Sequence, residues 1–238
     1  RQLLASLAPM AQPFGLTLPE GRWDDVADED WSLSWKQHWQ PDPVGNGFLI
    51  LPAWLEVPVE HADRLVIRMD PGSAFGTGSH PTTRLCLEAL EMSPPEGSLV
   101  ADLGCGSGVL GLAALGLGAQ AVVAADTDSL AVRATTDNRS LNQHDEAQLA
   151  VALGSVETLQ GLLAGRRADL LLCNILAPVI EALAPSFESL LAKEGRALLS
   201  GLLVDQAPRL KQVLGELGWT VTSSAEQGRW GLLEIRRA

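Results

Sequence analysis

The sequence predicts an α/β fold built on a doubly wound, mostly parallel sheet of seven strands, with a short N-terminal linker and a small entry sheet. From Ser98 onwards, apolar runs of strand length alternate with stretches that have the apolar spacing of helices. A turn with three glycines follows the first run, and an acid ends the second, as at the ligand-binding edge of a parallel sheet. The chain closes with two further β-prone runs, which predict a hairpin and one antiparallel strand.

The glycine turn comprises Gly104, Gly106 and Gly108, and Asp126 ends the next strand. Such a turn lets the backbone approach a ligand, and an acid about twenty residues later can accept hydrogen bonds from ribose hydroxyls. The glycines occupy every second position, however, whereas dinucleotide folds use G-x-G-x-x-G to place a pyrophosphate at a helix N-terminus. We therefore expect a nucleoside ligand without phosphates, and S-adenosylmethionine is the candidate cofactor.

The segments before the glycine turn predict a small sheet and a second loop. Gly47–Leu51 and Leu65–Met69 are β-prone and apolar. Residues 70–83 read D-P-G-S-A-F-G-T-G-S-H-P-T-T, and Pro81 suits the first turn of the helix that follows. This loop is expected to lie over a ligand held by the glycine turn. We interpret His80 as a capping or packed residue rather than a catalytic base, because the sequence places no partner acid for it.

The pattern after Asp126 continues to alternate. The predicted helices cover Ser129–Asn142, Val179–Leu191 and Val204–Leu217, and the predicted strands cover Leu149–Leu153, Ala168–Cys173, Arg196–Ser200, Trp219–Ser223 and Gly231–Ile235. The last two strands form the hairpin, with a turn around Gln227 and Gly228.

Asn174 follows the fourth strand of the predicted sheet. In a doubly wound sheet the first and fourth strands are neighbours, so Asn174 is expected close to Gly104 at the edge where ligands bind. Its amide oxygen can accept a hydrogen bond from an amine and direct the nitrogen lone pair to a methyl donor. Such positioning contributes about 7 kcal/mol or more to lowering a barrier. Asn174 could instead be a strand-end turn residue, but the nearby glycine turn and acid favour the functional interpretation. No general base is assigned.

Composition narrows the classes of partner and compartment. A net charge of -12 over 238 residues argues against general nucleic-acid binding, which needs a basic face, and favours a basic protein substrate. The three cysteines, Cys86, Cys105 and Cys173, lack metal-ligand spacing, so we predict no metal and a reduced, cytoplasmic protein. Without an apolar run of about 18 residues or a signal peptide, no membrane span is expected.

Four motifs together resemble the PrmA family of ribosomal protein methyltransferases, which are class I S-adenosylmethionine-dependent enzymes. They are D-P-G-S-A-F-G-T-G-S-H-P-T-T from Asp70, D-L-G-C-G-S-G from Asp102, A-D-T-D from Ala125 and N-I-L-A from Asn174. The resemblance covers the chain from about Trp31 to the end. It implies methyl transfer to lysine side chains and the N-terminal amine of ribosomal protein L11, the stalk-base protein of the large subunit.

The resemblance also implies a set of site residues and a domain division. The implied cofactor contacts are Thr83, Gly104, Asp126 and Asn174, with Phe75 and Gly106 added on less motif support. Residues 1–40 resemble the linker that follows an N-terminal substrate-recognition domain in the family, and residues 41–238 the catalytic domain. The recognition domain is therefore expected to be missing from this sequence, and a monomer is expected.

Three alternatives remain open. The first is a class I methyltransferase that acts on another protein or on a small molecule. The motif at residues 70–83 argues against this alternative. The second is a nicotinamide-dependent oxidoreductase, against which the glycine spacing speaks. The third is a binding module that holds the cofactor and transfers nothing.

Overall fold

A computed structural model describes residues 39–70 and 78–238 of the chain. The small sheet has three strands, β1 (Asp42–Val44), β2 (Phe48–Pro52) and β3 (Leu65–Met69). Strand β2 is antiparallel to β1 and parallel to β3. The two predicted entry strands are therefore confirmed. Strand β1 was not predicted, because three residues that include a proline are too few to show an alternating pattern.

The main sheet has seven strands, of which β10 (Trp230–Arg237) alone runs opposite to the other six. In spatial order they are β6 (Leu149–Leu153), β5 (Ala121–Asp126), β4 (Leu99–Leu103), β7 (Ala168–Asn174), β8 (Leu191–Leu203), β10 (Trp230–Arg237) and β9 (Trp219–Gln227). Strand order reverses between β4 and β7, which pair in parallel. The predicted doubly wound sheet, including its single antiparallel strand, is confirmed.

Seven α-helices lie in the part of the chain that the structure describes. They are α1 (Pro81–Met92), α2 (Val109–Gly116), α3 (Ser129–Leu141), α4 (Val156–Leu163), α5 (Ala177–Leu183), α6 (Phe187–Leu190) and α7 (Ala207–Glu216). None of the helices within those residues is long and apolar enough to span a membrane.

Two predicted helices are wrong in their bounds, and proline explains both. The region predicted as one helix over Val179–Leu191 is α5, a 3-10 turn over Ala184–Ser186 and α6. Pro185 has no N–H and its ring crowds the preceding turn, so the helix is interrupted there. The helix predicted over Val204–Leu217 starts instead with a 3-10 turn, and α7 has a proline in its first turn, where its missing N–H costs nothing.

Alternating residues of the central strands pack on opposite faces of the sheet. Leu170 and Leu172 of β7 pack with α1, α2 and the small sheet. Leu171 and Cys173 pack with the layer that contains α4 to α7. Since both faces are buried, the strand reads as a continuous apolar run rather than an alternating one. The helices that follow β4 and β7 thus lie on opposite faces, and a crevice opens at the carboxyl ends of these two strands.

Two glycines hold the backbone that follows β7. Ile175 donates its N–H to the Ser200 carbonyl at 3.1 Å. Gly104 and Gly201, with φ of 77° and 84°, approach Ile175 from β4 and β8. A Cβ at Gly104 would overlap Ile175 Cγ2, and a Cβ at Gly201 would overlap the Ile175 carbonyl oxygen. The backbone turn after Asn174 can pass between Gly104 and Gly201 because neither residue has a side chain.

We expect Gly201→Ala to destabilise the fold much more than Gly97→Ala. Both glycines have positive φ, for which alanine costs roughly 1–2 kcal/mol. Nothing lies within 4 Å of a Cβ at Gly97, whereas at Gly201 the added carbon meets backbone atoms of Ile175. Urea unfolding of both variants measures the difference, and equal losses of stability would show that the close approach to Ile175 is unimportant.

Candidate functional site

A cavity of about 570 Å³ lies at the carboxyl edge of the main sheet, within the range of roughly 300–1,000 Å³ usual for small-molecule sites. Its lining follows the spatial order of the strands. From β6 to β10 it includes Gly154 and Ser155, Asp126 and Thr127, Gly104 and Gly106, Asn174 to Leu176, Gly201 and Trp230. His80, Thr82, Leu103, Val179 and Leu183 complete it. The half beside β5 and β6 is polar, and α5 gives the other half an apolar wall.

The glycine turn is fastened to the end of β5. Gly104 donates its N–H to the Ala125 carbonyl at 2.8 Å. Gly106 donates to Asp126 Oδ2 at 2.9 Å, and Asp128 donates to Asp126 Oδ1 at 3.0 Å. Asp126 therefore closes the turn and lines the cavity at once, and each of its oxygens keeps a second lone pair for a ligand hydroxyl.

A second carboxyl, that of Asp102, lies beneath the glycine turn and is 1% exposed. Its Oδ2 accepts the N–H of Gly111, in the first turn of α2, at 3.2 Å. The residue before this helix is Gly108, which has no side chain to cap it, so Asp102 serves in its place. Burial raises the pKa of Asp102 to about 7; the Gly111 hydrogen bond opposes the rise, and the nearby Asp126 carboxylate adds to it.

Asn174 ends β7 with its side chain on the α1 side of the sheet. Its Nδ2 donates to the hydroxyl oxygen of Thr83 at 3.4 Å. Its Oδ1 is buried and has no hydrogen-bond partner within residues 39–70 and 78–238. A buried acceptor left unpaired costs about 1–3 kcal/mol. A ligand N–H that reached this oxygen would recover that free energy.

His80 and Trp230 meet at the far end of the cavity. His80 precedes α1, and its Nδ1 accepts from the Thr82 N–H at 3.4 Å and lies 2.8 Å from the Thr82 hydroxyl. The predicted capping role is therefore confirmed. The ring of Trp230 stands edge-on to that of His80, with centroids 4.8 Å apart and an interplanar angle of 69°. The two rings form an aromatic corner beside Gly201.

Four of the six predicted cofactor residues, Gly104, Gly106, Asp126 and Asn174, line this one cavity. Thr83 is 1% exposed and contacts Asn174 from behind rather than lining the cavity. Phe75 lies outside the described residues, as do all but the last two residues of the linker predicted over 1–40. Their roles remain predictions.

Sequence reasoning missed several lining residues. Gly154 and Ser155 follow a predicted strand that borders the Asp126 strand, so their position at the carboxyl edge was an available signal. Trp230 had none, because only the antiparallel pairing of β10 with β8 brings it to this edge. Gly201 likewise shows its position only in the folded chain.

The cysteines do not supply a nucleophile. Cys86, Cys105 and Cys173 are all free and buried. Burial raises the pKa of Cys86 to about 12 and raises the pKa of the other two thiols as well. Since the thiolate is the reactive form, these side chains act as packing residues at neutral pH.

Comparison with known proteins decides the family. The family model described as ribosomal protein L11 methyltransferase (PrmA) matches residues 3–238. The chain belongs to the PrmA family. The resemblance drawn from the four motifs is thereby confirmed.

PrmA-family relatives match nearly the whole chain. A ribosomal protein L11 methyltransferase of Parasynechococcus marenigrum (strain WH8102) is 82% identical over 237 residues, which are 100% of this chain and 82% of that protein. One from Synechococcus elongatus is 49% identical over 230 residues, or 96% of this chain and 76% of that protein. The crystal structure of a ribosomal protein L11 methylase from Lactobacillus delbrueckii subsp. bulgaricus has a TM-score of 0.75 and 32% identity, covering 84% of this chain and 99% of that one.

A more distant neighbour agrees in fold alone. A methyltransferase structure complexed with SAH has a TM-score of 0.56 at 14% identity, covering 66% of this chain and 50% of that one. Together with the L11 methylase structure, this likeness confirms the predicted methyltransferase fold.

We expect the stability of this PrmA-family chain to fall as pH rises from about 4 to about 7 because of Asp102. The unfolded chain releases this proton near pH 4, whereas the folded chain holds it to about pH 7. Between these values the folded state binds more protons, so the free energy of unfolding declines by an amount on the order of a few kcal/mol.

Urea unfolding at pH 5 and pH 8 tests this expectation, with Asp102→Asn as the comparison. The amide can still accept the Gly111 N–H but does not titrate, so its loss of stability between the two pH values should be smaller. Equal losses in wild type and variant would assign the pH dependence to other groups.

Proposed function

We propose that this chain transfers methyl groups from S-adenosylmethionine to amino groups of ribosomal protein L11, namely lysine side chains and the N-terminal amine. One observation carries the proposal: the Asp126-closed glycine turn and Asn174, whose buried side-chain oxygen has no partner among the described residues, belong to the same cavity. The names of the relatives that match the chain over nearly its whole length support the same substrate.

The residues of the cavity fit S-adenosylmethionine. Gly104 and Gly106 present bare backbone to the cavity, which permits close approach of a ligand. Asp126 offers lone pairs to ribose hydroxyls. The polar half beside β5 and β6 suits the adenosine, and Asn174 lies between this half and the aromatic corner. We therefore propose Gly104, Gly106 and Asp126 as cofactor contacts and Asn174 as the boundary with the acceptor. Thr83 is proposed to act through Asn174.

When bound, S-adenosylmethionine supplies a methyl group on a positively charged sulfur. The protein's part is to present the amine. Asn174 Oδ1 accepts one amine N–H and thereby fixes the direction of the nitrogen lone pair. Val179 and Trp230 give the acceptor half an apolar lining.

The charges around the cavity favour a neutral amine. Among the described residues that line it, Asp126 is the one carboxylate, and it belongs to the half proposed for adenosine. An ammonium group at the apolar end would thus be desolvated without a counter-ion, which lowers the pKa of the amine. A lysine, with an ordinary pKa near 10.4, gains its reactive form in this way.

The wider assignments belong to the same proposal. We assign residues 41–238 to the catalytic domain and residues 1–40 to a linker. We further propose a monomer that acts in the cytoplasm, without nucleic-acid or membrane partners. The net charge of -12 supports the assignment of partners, because a surface of that charge repels the phosphate backbones of nucleic acids and attracts a basic protein.

Mass spectrometry of purified L11 after incubation with the chain and S-adenosylmethionine tests the proposal. The expected result is mass gains in multiples of one methyl group on amino groups. Calorimetry with S-adenosylmethionine and with NAD separates the alternatives. Binding of NAD alone would indicate an oxidoreductase, and cofactor binding without transfer to L11 would indicate another substrate or a binding module.

We expect Asp126→Ala to abolish measurable cofactor binding, because the ribose acceptor and the Gly106 tie are lost together. Asp126→Asn should also bind poorly, since both carboxylate oxygens accept backbone N–H groups and the amide nitrogen would oppose one of them. The matched control is Asp128→Ala, which removes only the cap on Leu130 N–H and costs about 1 kcal/mol of stability. Calorimetry would contradict this role if Asp126→Ala bound like the control.

We expect Asn174→Ala to lower the rate of transfer by roughly a hundredfold, because the acceptor amine loses its orienting oxygen. Its free energy of unfolding should change by less than about 1 kcal/mol, since the substitution removes a buried unpaired acceptor together with the 3.4 Å hydrogen bond to Thr83. Single-turnover transfer and urea unfolding measure the two effects. Equal losses of cofactor affinity and transfer rate would make Asn174 a cofactor ligand only.

A further inference from the structure

Helix α3 and the residue that follows it carry a polar stripe on one face, formed by Thr135, Asn138 and the C-terminal capping residue Asn142. Their spacing places them on one side of the helix, and each bonds to backbone outside the helix. Thr135 donates from its hydroxyl to the Gly106 carbonyl at 3.0 Å. Asn142 accepts from the Arg68 N–H at 2.8 Å and donates back to the Arg68 carbonyl at 2.7 Å. Thr135 therefore holds the glycine turn, and Asn142 holds β3.

Asn138, between these two residues, bonds to both segments. Its Nδ2 donates to the Ser107 carbonyl at 2.9 Å, and its Oδ1 accepts the Asp70 N–H at 2.9 Å. The side chain is 1% exposed. One segment offers an acceptor and the other a donor, so an amide, which has both functions, satisfies the two together.

The two bonded segments carry the two motifs that the sequence analysis singled out. Ser107 belongs to the glycine turn, between Gly106, which lines the cavity, and Gly108 at the start of α2. Asp70 follows β3 and is the first residue of the motif that ends at α1. The described hydrogen bonds of α3 give no other side chain that reaches both segments.

We propose that Asn138 is a positioning residue for cofactor binding, because it fixes the glycine turn against the end of β3 before the ligand arrives. This inference rests on the proposed function of the cavity. Asn138 itself does not line the cavity and acts through Ser107 and Asp70. Without it, the turn and the β3 end would have to be ordered relative to one another when the cofactor binds, and affinity would fall by that cost.

Calorimetry of the whole chain with S-adenosylmethionine tests the inference, with Asn138→Leu compared to Asn142→Leu. Leucine has similar size and removes both polar functions. The side chain of Asn142 makes three described hydrogen bonds: two with Arg68 and one from Nδ2 to the Asn138 carbonyl. The control variant therefore loses at least as many hydrogen bonds as Asn138→Leu. We expect Asn138→Leu to weaken cofactor binding about tenfold or more. Asn142→Leu should weaken it less than threefold, although its Tm should fall by as much as that of Asn138→Leu or more.

The kinetics of methyl transfer distinguish a positioning role of Asn138 from a role in stability alone. For Asn138→Leu, KM for the cofactor should rise with its Kd, while kcat at saturating cofactor stays within about twofold of wild type, because Asn174 and the acceptor half are untouched. If Asn138→Leu does not fold, Asn138→Asp replaces it. Aspartate keeps the acceptor for the Asp70 N–H but sets an oxygen against the Ser107 carbonyl, and the same weakening is expected.

Two results would overturn the inference: unchanged cofactor affinity in a folded Asn138 variant, or equal weakening by the Asn138 and Asn142 substitutions. Failure of the proposed function looks different. If the wild type bound NAD and not S-adenosylmethionine, that function would be rejected, while the same pair of variants measured with NAD would still decide whether Asn138 positions the site.

Discussion

The hydrogen bond from the Gly106 N–H to Asp126 Oδ2 is the contact on which the rest of the site depends. It joins the carboxyl ends of the adjacent parallel strands β4 and β5 and fixes the position of the turn between β4 and α2. Asp126 can do this only because its second oxygen is held by the Asp128 N–H, which sets the plane of the carboxylate. Because Asp126 is proposed to bind the ligand and also holds the glycine turn, few other residues could replace it.

The sequence predicts the sheet well because its signal is local. Buried parallel strands such as β7 are continuous apolar runs, and the glycine turn and Asp126 lie within one βαβ unit. Asn174 was also predictable, since strand order in a doubly wound sheet brings the first and fourth strands together. The family resemblance added the expected methyl acceptor, the amino groups of ribosomal protein L11.

What the sequence does not show depends on contacts between distant segments. Trp230 reaches the cavity through the pairing of β10, and Thr83 lies behind Asn174 rather than beside the cavity. The break at Pro185 was visible in the sequence but was outweighed by helical spacing on both sides. Asn138 reads as an ordinary polar residue of an amphipathic helix, because nothing local reveals that its partners are Ser107 and Asp70.

The antiparallel strand β10 sets an order of assembly. The turn, Asp126 and Asn174 all precede β8 in the chain, so a nascent polypeptide completes the nucleoside half of the cavity first. Trp230 arrives only when β10, the second strand of the final hairpin, pairs between β8 and β9. The residues proposed for the donor half are therefore synthesised before Trp230, and a chain cut short before β10 would lack this wall of the cavity.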